Sequence, residues 1–498
     1  MTHCPYQNQA SSTALPIQQS LLHTETGSAP RAVSRRSKLS WWQNLVAKLP
    51  VPSVIQALWA MRDPEGFFRA RSGGSELFTV NLPGFSTIHV TGTAAGAREM
   101  LSAPSDVYRT IPGSPIDAVF GANSMMAVDG ERHQRQRRLI IPCFGPGKAK
   151  GLGPSFAAIA QKYLASLPED CVMPLQQLMQ DLALDVIIEV IFGVHDAAGK
   201  ARFTKAITAF VAAATPSLLL ISKLRHRIWP PWRRFLRAQA ELDRCLLGQV
   251  RHLRTHPDEA QGSLLRVMLN TKDPSGDALS DEELRDELRM LLVAGHETTA
   301  TTMTWAVYYS LANQNVYEKL RAEVRAASED VHGYEALPYL DAVCHEALRI
   351  HSVPPFAFRT LRKPLVVSGK ELPPGSNLAL SLMLLHGDPN VFAAPREFRP
   401  ERFIGPKYDL FAFLPFGSGV RRCIASSFAL SEMQVILATI LRRADFSLAT
   451  TTRPKLILKH INSGPDRPIP VRIVKRPMAA VQDDLGLATA IAVCPAPV

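Results

Sequence analysis

From about Gly130 to Ile350 apolar residues recur with the three-to-four-residue period of helices, interrupted by short polar turns. Alternation appears elsewhere. Leu77–Leu82 and Thr87–Val90 flank Pro83-Gly84 and predict a β-hairpin, and short strand-like runs return at Leu365–Val367, Leu456–Ile461 and Val471–Val474. Residues 1–44 and 476–498 show neither period and are expected to form loose tails around one large body, 45–475. No internal repeat appears, so the pattern predicts a mainly α fold with a minor β portion built from both ends of the chain.

One predicted helix is unusual in its middle. Ser280-Asp281-Glu282-Glu283 has the form of a capping box, and a helix starting there can run to about Asn313. At 1.5 Å per residue it would be roughly 50 Å long and cross the whole molecule. Yet Ala294-Gly295-His296-Glu297-Thr298-Thr299 puts a glycine, a carboxylate and two β-branched hydroxyl residues inside an otherwise apolar stretch, where each is a poor helix former. A rule broken locally often marks a site. Thr298 can bond back to the Ala294 carbonyl and open a groove, and an acid beside an alcohol can relay protons through water. The alternative is a kinked helix whose Glu297 and Thr298 only satisfy each other.

A second segment, Phe413-Leu414-Pro415-Phe416-Gly417-Ser418-Gly419-Val420-Arg421-Arg422-Cys423-Ile424-Ala425, reads as a tight turn leading into a helix from about Ala425 to Arg443. Cys423 would then lie at a helix N-terminus, where free N–H groups and the macrodipole favour a thiolate over a thiol of usual pKa about 8.5. Taken alone, a buried inert cysteine is the commoner meaning of such a residue.

Composition narrows the chemistry only slightly. The seven cysteines are scattered without a C-x-x-C pair, which excludes a disulfide frame or zinc knuckle and points to a reducing compartment. The net charge of +12 suits nucleic acid, an anionic membrane surface or an acidic protein. The basic clusters are short, Arg31–Lys38, Arg132–Arg138 and Arg421-Arg422, without the long stripe that tracks phosphates, so no nucleic-acid partner is expected. No run reaches the roughly 18 apolar residues of a membrane span. Ser34-Arg35-Arg36 could begin a twin-arginine signal, but Trp41-Trp42-Gln43-Asn44 and Lys48 interrupt the apolar region that such a signal requires. A soluble, cytoplasmic, monomeric protein is expected. Leu218–Ile221 with Arg225, Arg227, Trp229 and Trp232 is read as a lid-helix pair, with peripheral membrane contact as the alternative.

The pattern Phe-x-x-Gly-x-Arg-x-Cys at Phe416–Cys423 resembles the haem-binding signature of the cytochrome P450 family, and Ala294–Thr299 resembles that family's oxygen-activation motif. Glu346 with Arg349, followed by Pro354-Pro355 and by Arg402, resembles its Glu-x-x-Arg pair and third charged partner. The likeness spans about Leu45 to Lys475. One departure is Ala425, where the family usually has glycine. The resemblance implies the cytochrome P450 fold and haem b (iron protoporphyrin IX) held by Cys423. It implies propionate contacts from His133, Arg137, Arg359 and Arg421, packing of Phe416 near the sulfur, and proton delivery by Glu297 and Thr298. It further implies insertion of one oxygen atom from O2 into an apolar small molecule, by hydroxylation or epoxidation. Electrons would come from NAD(P)H through a separate ferredoxin or flavodoxin, for which Arg132, Arg135, Arg138 and Arg422 offer a basic surface. Lining is expected from Ile111–Met126, Ile207–Ile221, Met290–Ala294, Val353–Phe358 and Asn462–Gly464. A haem-thiolate isomerase, dehydratase or peroxygenase and a non-catalytic haem sensor remain as alternatives.

Overall fold

The computed structural model describes residues 52–476 apart from 84–86, 111–114, 216–217, 219–224, 227, 328–330, 406 and 460–461. The two tails except Arg476, the start of the 111–126 lining segment and most of the 218–221 run lie outside the described residues.

The helical period of the middle of the chain becomes, among others, helices Gly130–Ile140, Gly153–Ser166, Leu175–Val186, Ala197–Ala213, Pro230–Thr255, Asp281–Ala312, Pro338–Ile350 and Ser426–Arg443. The 32-residue helix Asp281–Ala312 starts as its sequence predicts. Glu283 N donates to Ser280 Oγ at 3.2 Å and Ser280 N donates to Glu283 Oε2 at 3.1 Å, so two free N–H groups of the first turn are satisfied reciprocally. This helix packs against Leu175–Val186 and Pro338–Ile350 and is buried on most sides, which explains its weak amphipathicity. Helix Ser426–Arg443 lies on Gly153–Ser166, where Phe428 meets Phe156 and Phe144 edge-on at centroid distances of 5.2 and 5.7 Å.

Twelve strands are present among the described residues: β1 (Leu77–Val80), β2 (Ile88–Thr91), β3 (Tyr108–Arg109), β4 (Asp170–Pro174), β5 (Phe356–Leu361), β6 (Leu365–Val367), β7 (Lys370–Leu372), β8 (Asn377–Ser381), β9 (Ala444–Leu448), β10 (Leu456–Lys459), β11 (Asn462–Pro465) and β12 (Pro470–Lys475). The expected hairpin is β1–β2, paired from Leu77 with Thr91 to Val80 with Ile88. It joins a five-stranded sheet in the order β1-β2-β8-β5-β3, in which β2 and β8 run parallel. A second sheet, β4-β12-β9, and the hairpins β6-β7 and β10-β11 complete the β portion.

The expectation that the strands come only from the two ends is therefore incomplete. β4 interrupts the helical middle of the chain, and β5 and β8 carry the centre of the larger sheet. β8 is buried along Leu378–Ser381 and lacks alternation, so periodicity gives no signal for it. β4 is exposed at Asp170, Val172 and Pro174, and forms because β12 pairs along it.

Candidate active site

The cysteine loop is closed on itself. Gly417 N donates to the Leu414 carbonyl at 3.1 Å, and Cys423 N donates to the Phe416 carbonyl at 2.9 Å. Gly417 and Gly419 have φ of +66° and +69°. At Gly419 a Cβ would also lie 2.6 Å from the Leu101 carbonyl oxygen, so that position has no room for a side chain. Phe416 packs against the main core. Cys423 precedes the helix by more than its sequence predicts: the helix begins at Ser426 with Ala425 as its cap. Burial is the largest influence on the sulfur and raises the thiol pKa, opposed by the Ala425 N–H and by the charges of Arg422 and Arg137. Cys423 nevertheless has accessible surface. A cysteine crowded by protein yet reachable lines an internal cleft. Burial and the charges and N–H beside the sulfur thus act in opposite directions, and a coordinated cation would favour its deprotonation.

Four of the sequence-predicted residues gather beside it. His133, buried on helix Gly130–Ile140, has its pKa pushed down to about 4 by burial, then by Arg421 and Arg137, with Arg359 adding a smaller push. Arg359 is lowered to about 10 by burial and by Arg421. Arg137 interacts with Cys423 and donates to the Arg422 carbonyl at 2.8 Å. Arg421 donates to the Met125 and Val128 carbonyls, each at 2.6 Å, and to Asp129 at 2.7 Å. Arg421 is thus engaged by the 125–129 loop, while Arg359 Nη1 donates to the carbonyl of its own neighbour, Phe358, at 2.7 Å. Arg421 pairs with Asp129, which also acts on Arg359 and lies 3.5 Å from Arg362, while Arg137 sits beside Cys423, so cations outnumber carboxylates around the sulfur. Such an excess of buried positive charge is costly unless anions join it. The donor set fits a flat macrocycle carrying two carboxylates beside a sulfur ligand.

Glu297 and Thr298 lie halfway along helix Asp281–Ala312. Thr298 Oγ1 donates to the Ala294 carbonyl at 2.5 Å as expected, and Ala294 is exposed although it sits in the middle of a mostly buried helix. The helix continues unbroken through this bond. Gly295 is not required sterically, because a Cβ there would meet only Ile187 at an ordinary 3.7 Å. The exposed apolar side chains of Met126 and Phe358 come from two of the predicted lining segments, whereas Asn462–Gly464 is buried in β11. His296, not singled out from sequence, is held by Gln180, whose carbonyl lies 3.0 Å from Nε2.

Behind the cleft Glu346, Arg349 and Arg402 meet as expected. Glu346 is fully buried; its oxygens accept from Arg349 Nε at 2.6 Å and Nη2 at 2.8 Å, from Arg402 Nε at 3.0 Å and from Arg399 N at 2.8 Å. His386 joins this network to the cysteine loop, a link that sequence reasoning missed. Its Nε2 accepts from Leu414 N at 3.0 Å, so Nδ1 carries the proton and donates to Ser352 Oγ at 2.7 Å. Burial, helped by Arg349, pushes its pKa down to about 3. Since that lies below the usual 6.5, neutral His386 contributes stability above pH 6.5 that is lost as pH falls toward 3. Thermal melts should therefore show Tm falling from about pH 6.5 downward, with a shallower acid slope in His386→Asn despite its lower Tm at neutral pH. Equal slopes would sink the assignment.

The basic surface is smaller than the sequence suggests. Arg135 bonds Asp273 at 2.6 Å and Glu283 at 3.2 Å and so serves internal contacts, while exposed Arg132 bonds Asn123 at 2.9 Å. Arg132, Arg138 and Arg422 are exposed, and Arg135 is half-buried. Among the described residues no helix is long and apolar enough to cross a membrane.

A family model described as Cytochrome P450 matches residues 49–468. A protein named cytochrome P450 135B1, of Mycobacterium tuberculosis, is 32% identical over 433 residues, covering 84% of this chain and 89% of that one. One named cytochrome P450 137, of the same organism, is 29% identical, covering 80% and 82%. Among solved structures, the retinoic acid bound cyanobacterial CYP120A1 superposes with a TM-score of 0.73 at 22% identity, covering 82% of this chain and 94% of that one. The haem domain of cytochrome P450DA superposes with a TM-score of 0.72 at 24% identity, covering 82% and 92%.

Proposed function

Since the chain belongs to the cytochrome P450 family, whose activity is haem-thiolate monooxygenation with O2, we propose that it hydroxylates or epoxidises an apolar small molecule with electrons from NAD(P)H delivered by a separate ferredoxin or flavodoxin. The haem, when bound, supplies activation of O2 and transfer of one of its atoms. The observation that carries the assignment to residues is the gathering of Arg137, Arg359 and Arg421 around His133, with Arg137 acting on Cys423 and Asp129 as the carboxylate among them.

In this reading Cys423 is the metal ligand. Arg359, Arg137 and His133 hold the haem propionates, and Arg421 contributes from its bonds to Asp129 and the 125–129 carbonyls. Phe416 limits water at the sulfur. Thr298 gives its proton to the Ala294 carbonyl, which leaves its oxygen lone pairs free to accept from a water in the cleft. Glu297, one residue earlier, replenishes the proton that such a water passes on. Exposed Arg138 and Arg422 offer charge to an acidic electron donor. The protein would work as a cytoplasmic monomer.

The test is turnover of an apolar substrate, found by its spectral shift, with NADPH, a ferredoxin reductase and ferredoxin. Product should carry one atom from labelled O2. Thr298→Ala should keep the haem spectrum but lower product per NADPH by about tenfold or more, with peroxide accounting for the difference. Equal product from peroxide alone, with no donor dependence, would favour the peroxygenase alternative.

A further inference from the structure

Two carboxylates on the long helix, Asp286 and Glu287, reach across to the loop that precedes helix Gly130–Ile140. Asp286 accepts from Asn123 N at 3.0 Å and from Asn123 Nδ2 at 3.1 Å, and Glu287 Oε1 accepts from Met125 N at 2.7 Å. Asp286 is itself fixed by Arg289 at 2.5 Å and Arg285 at 2.8 Å. Gly121, at φ +97°, passes so close that a Cβ would collide with the Asp286 carboxylate. Two residues are thus clamped by their N–H groups, while Met125 and Val128 turn their carbonyls to Arg421. A continuous chain of hydrogen bonds therefore runs from the helix bearing Glu297 and Thr298, through Met125, to the guanidinium two residues from Cys423.

We infer that Glu287, supported by Asp286, is a positioning residue that sets the 121–129 loop and, through it, the placement of Arg421 in the cysteine loop. The inference rests on the proposed haem-thiolate function and adds to it a long-range brace between helix Asp281–Ala312 and the cysteine loop. Loop segments carry few backbone bonds of their own, so their geometry follows whatever satisfies their N–H groups. Here the acceptors come from a rigid buried helix, with Asp286 1% and Glu287 0% exposed. Burial, with Glu283 and Asp286 nearby, pushes the Glu287 carboxyl up to about 8, opposed by the Met125 N–H and Arg132. Near neutral pH it is largely a neutral acid, for which glutamine is the matching replacement.

Haem-loaded parent, Glu287→Gln, Glu287→Leu, Glu287→Asp and Gly121→Ala are compared for haem transfer to excess apomyoglobin and for the reduced carbon-monoxide spectrum, well below each Tm. Glutamine keeps the acceptor and should match the parent within about twofold. Leucine removes the acceptor, aspartate falls short of it, and Gly121→Ala displaces the loop by driving a Cβ into the Asp286 carboxylate while leaving Glu287 itself unchanged. These three should lose haem about tenfold faster, the worth of one buried hydrogen bond, and should lose part of the thiolate-type spectrum. Parent-like behaviour of aspartate and Gly121→Ala, or a glutamine variant as fast as they are, overturns the inference, and both arms remain available if leucine does not fold. A parent that itself lacks the thiolate-type spectrum would instead overturn the haem-thiolate assignment.

Discussion

Replacing Cys423 by serine is expected to abolish the thiolate-type reduced carbon-monoxide spectrum and to bring monooxygenation below detection, while leaving the fold intact. The side chain loses only the difference between sulfur and oxygen, and the backbone bond from residue 423 to the Phe416 carbonyl does not depend on it. The chemistry changes far more. At Cys423 burial raises the thiol pKa, while the Ala425 N–H, Arg422 and Arg137 pull it down, leaving a sulfur that a coordinated cation can deprotonate outright. A serine hydroxyl is a much weaker acid and a hard donor, and the same surroundings do not turn it into an anion. Thiolate ligation pushes electron density onto the iron and so favours O–O cleavage; that push is lost. The measurements are the spectrum of haem-loaded protein reduced under carbon monoxide, circular dichroism as the fold control, and turnover with the donor pair. A folded serine variant with the parent's spectrum would show that some other side chain holds the iron.

Local grammar was legible in the sequence wherever a feature is written in a short window. The capping box at Ser280, the Thr298 bond to Ala294, the turn glycines 417 and 419, and the Glu346–Arg349 pair all join residues within four positions of each other, or require a single φ. What the sequence conceals are partners set by tertiary approach. Arg421 meets Asp129 across 292 residues, His386 meets Leu414 across 28, and Glu287 meets Met125 across 162. No periodicity encodes these meetings. The same reason hides the partners of Arg135: within a run of cations it looks like free surface until Asp273 and Glu283, from elsewhere in the chain, are seen beside it. At the cysteine, a helix end visible in the sequence favours an anion, while the burial that opposes it depends on packing from the whole molecule.

The buried charge network behind the cleft should be the second most sensitive place in the protein. Arg349→Ala would leave Glu346, with none of its surface exposed, holding only Arg402 and the Arg399 N–H. It would also strip donors from the carbonyls of His386 and Pro395, each 2.9 Å from Arg349 Nη1. Breaking a buried pair by deleting one partner costs about 3–5 kcal/mol, because the remaining buried charge loses compensation in low dielectric, which here falls to Arg402 alone. That is a large share of the stability of an ordinary domain, so the variant should melt about three to six degrees lower and purify with little haem. The haem loss follows from a physical connection. Arg349 holds His386 by its carbonyl, and His386 holds Leu414 N–H at the start of the cysteine loop. Arg349→Lys separates charge from geometry: an ammonium keeps the charge but cannot make two parallel bonds to Glu346 while reaching both carbonyls. Lysine should therefore restore only a minor part of the lost Tm and haem content. If it restored the parent's values, neutralising Glu346 would be the whole role of Arg349, and the route from Arg349 through His386 to the cysteine loop would carry no energy.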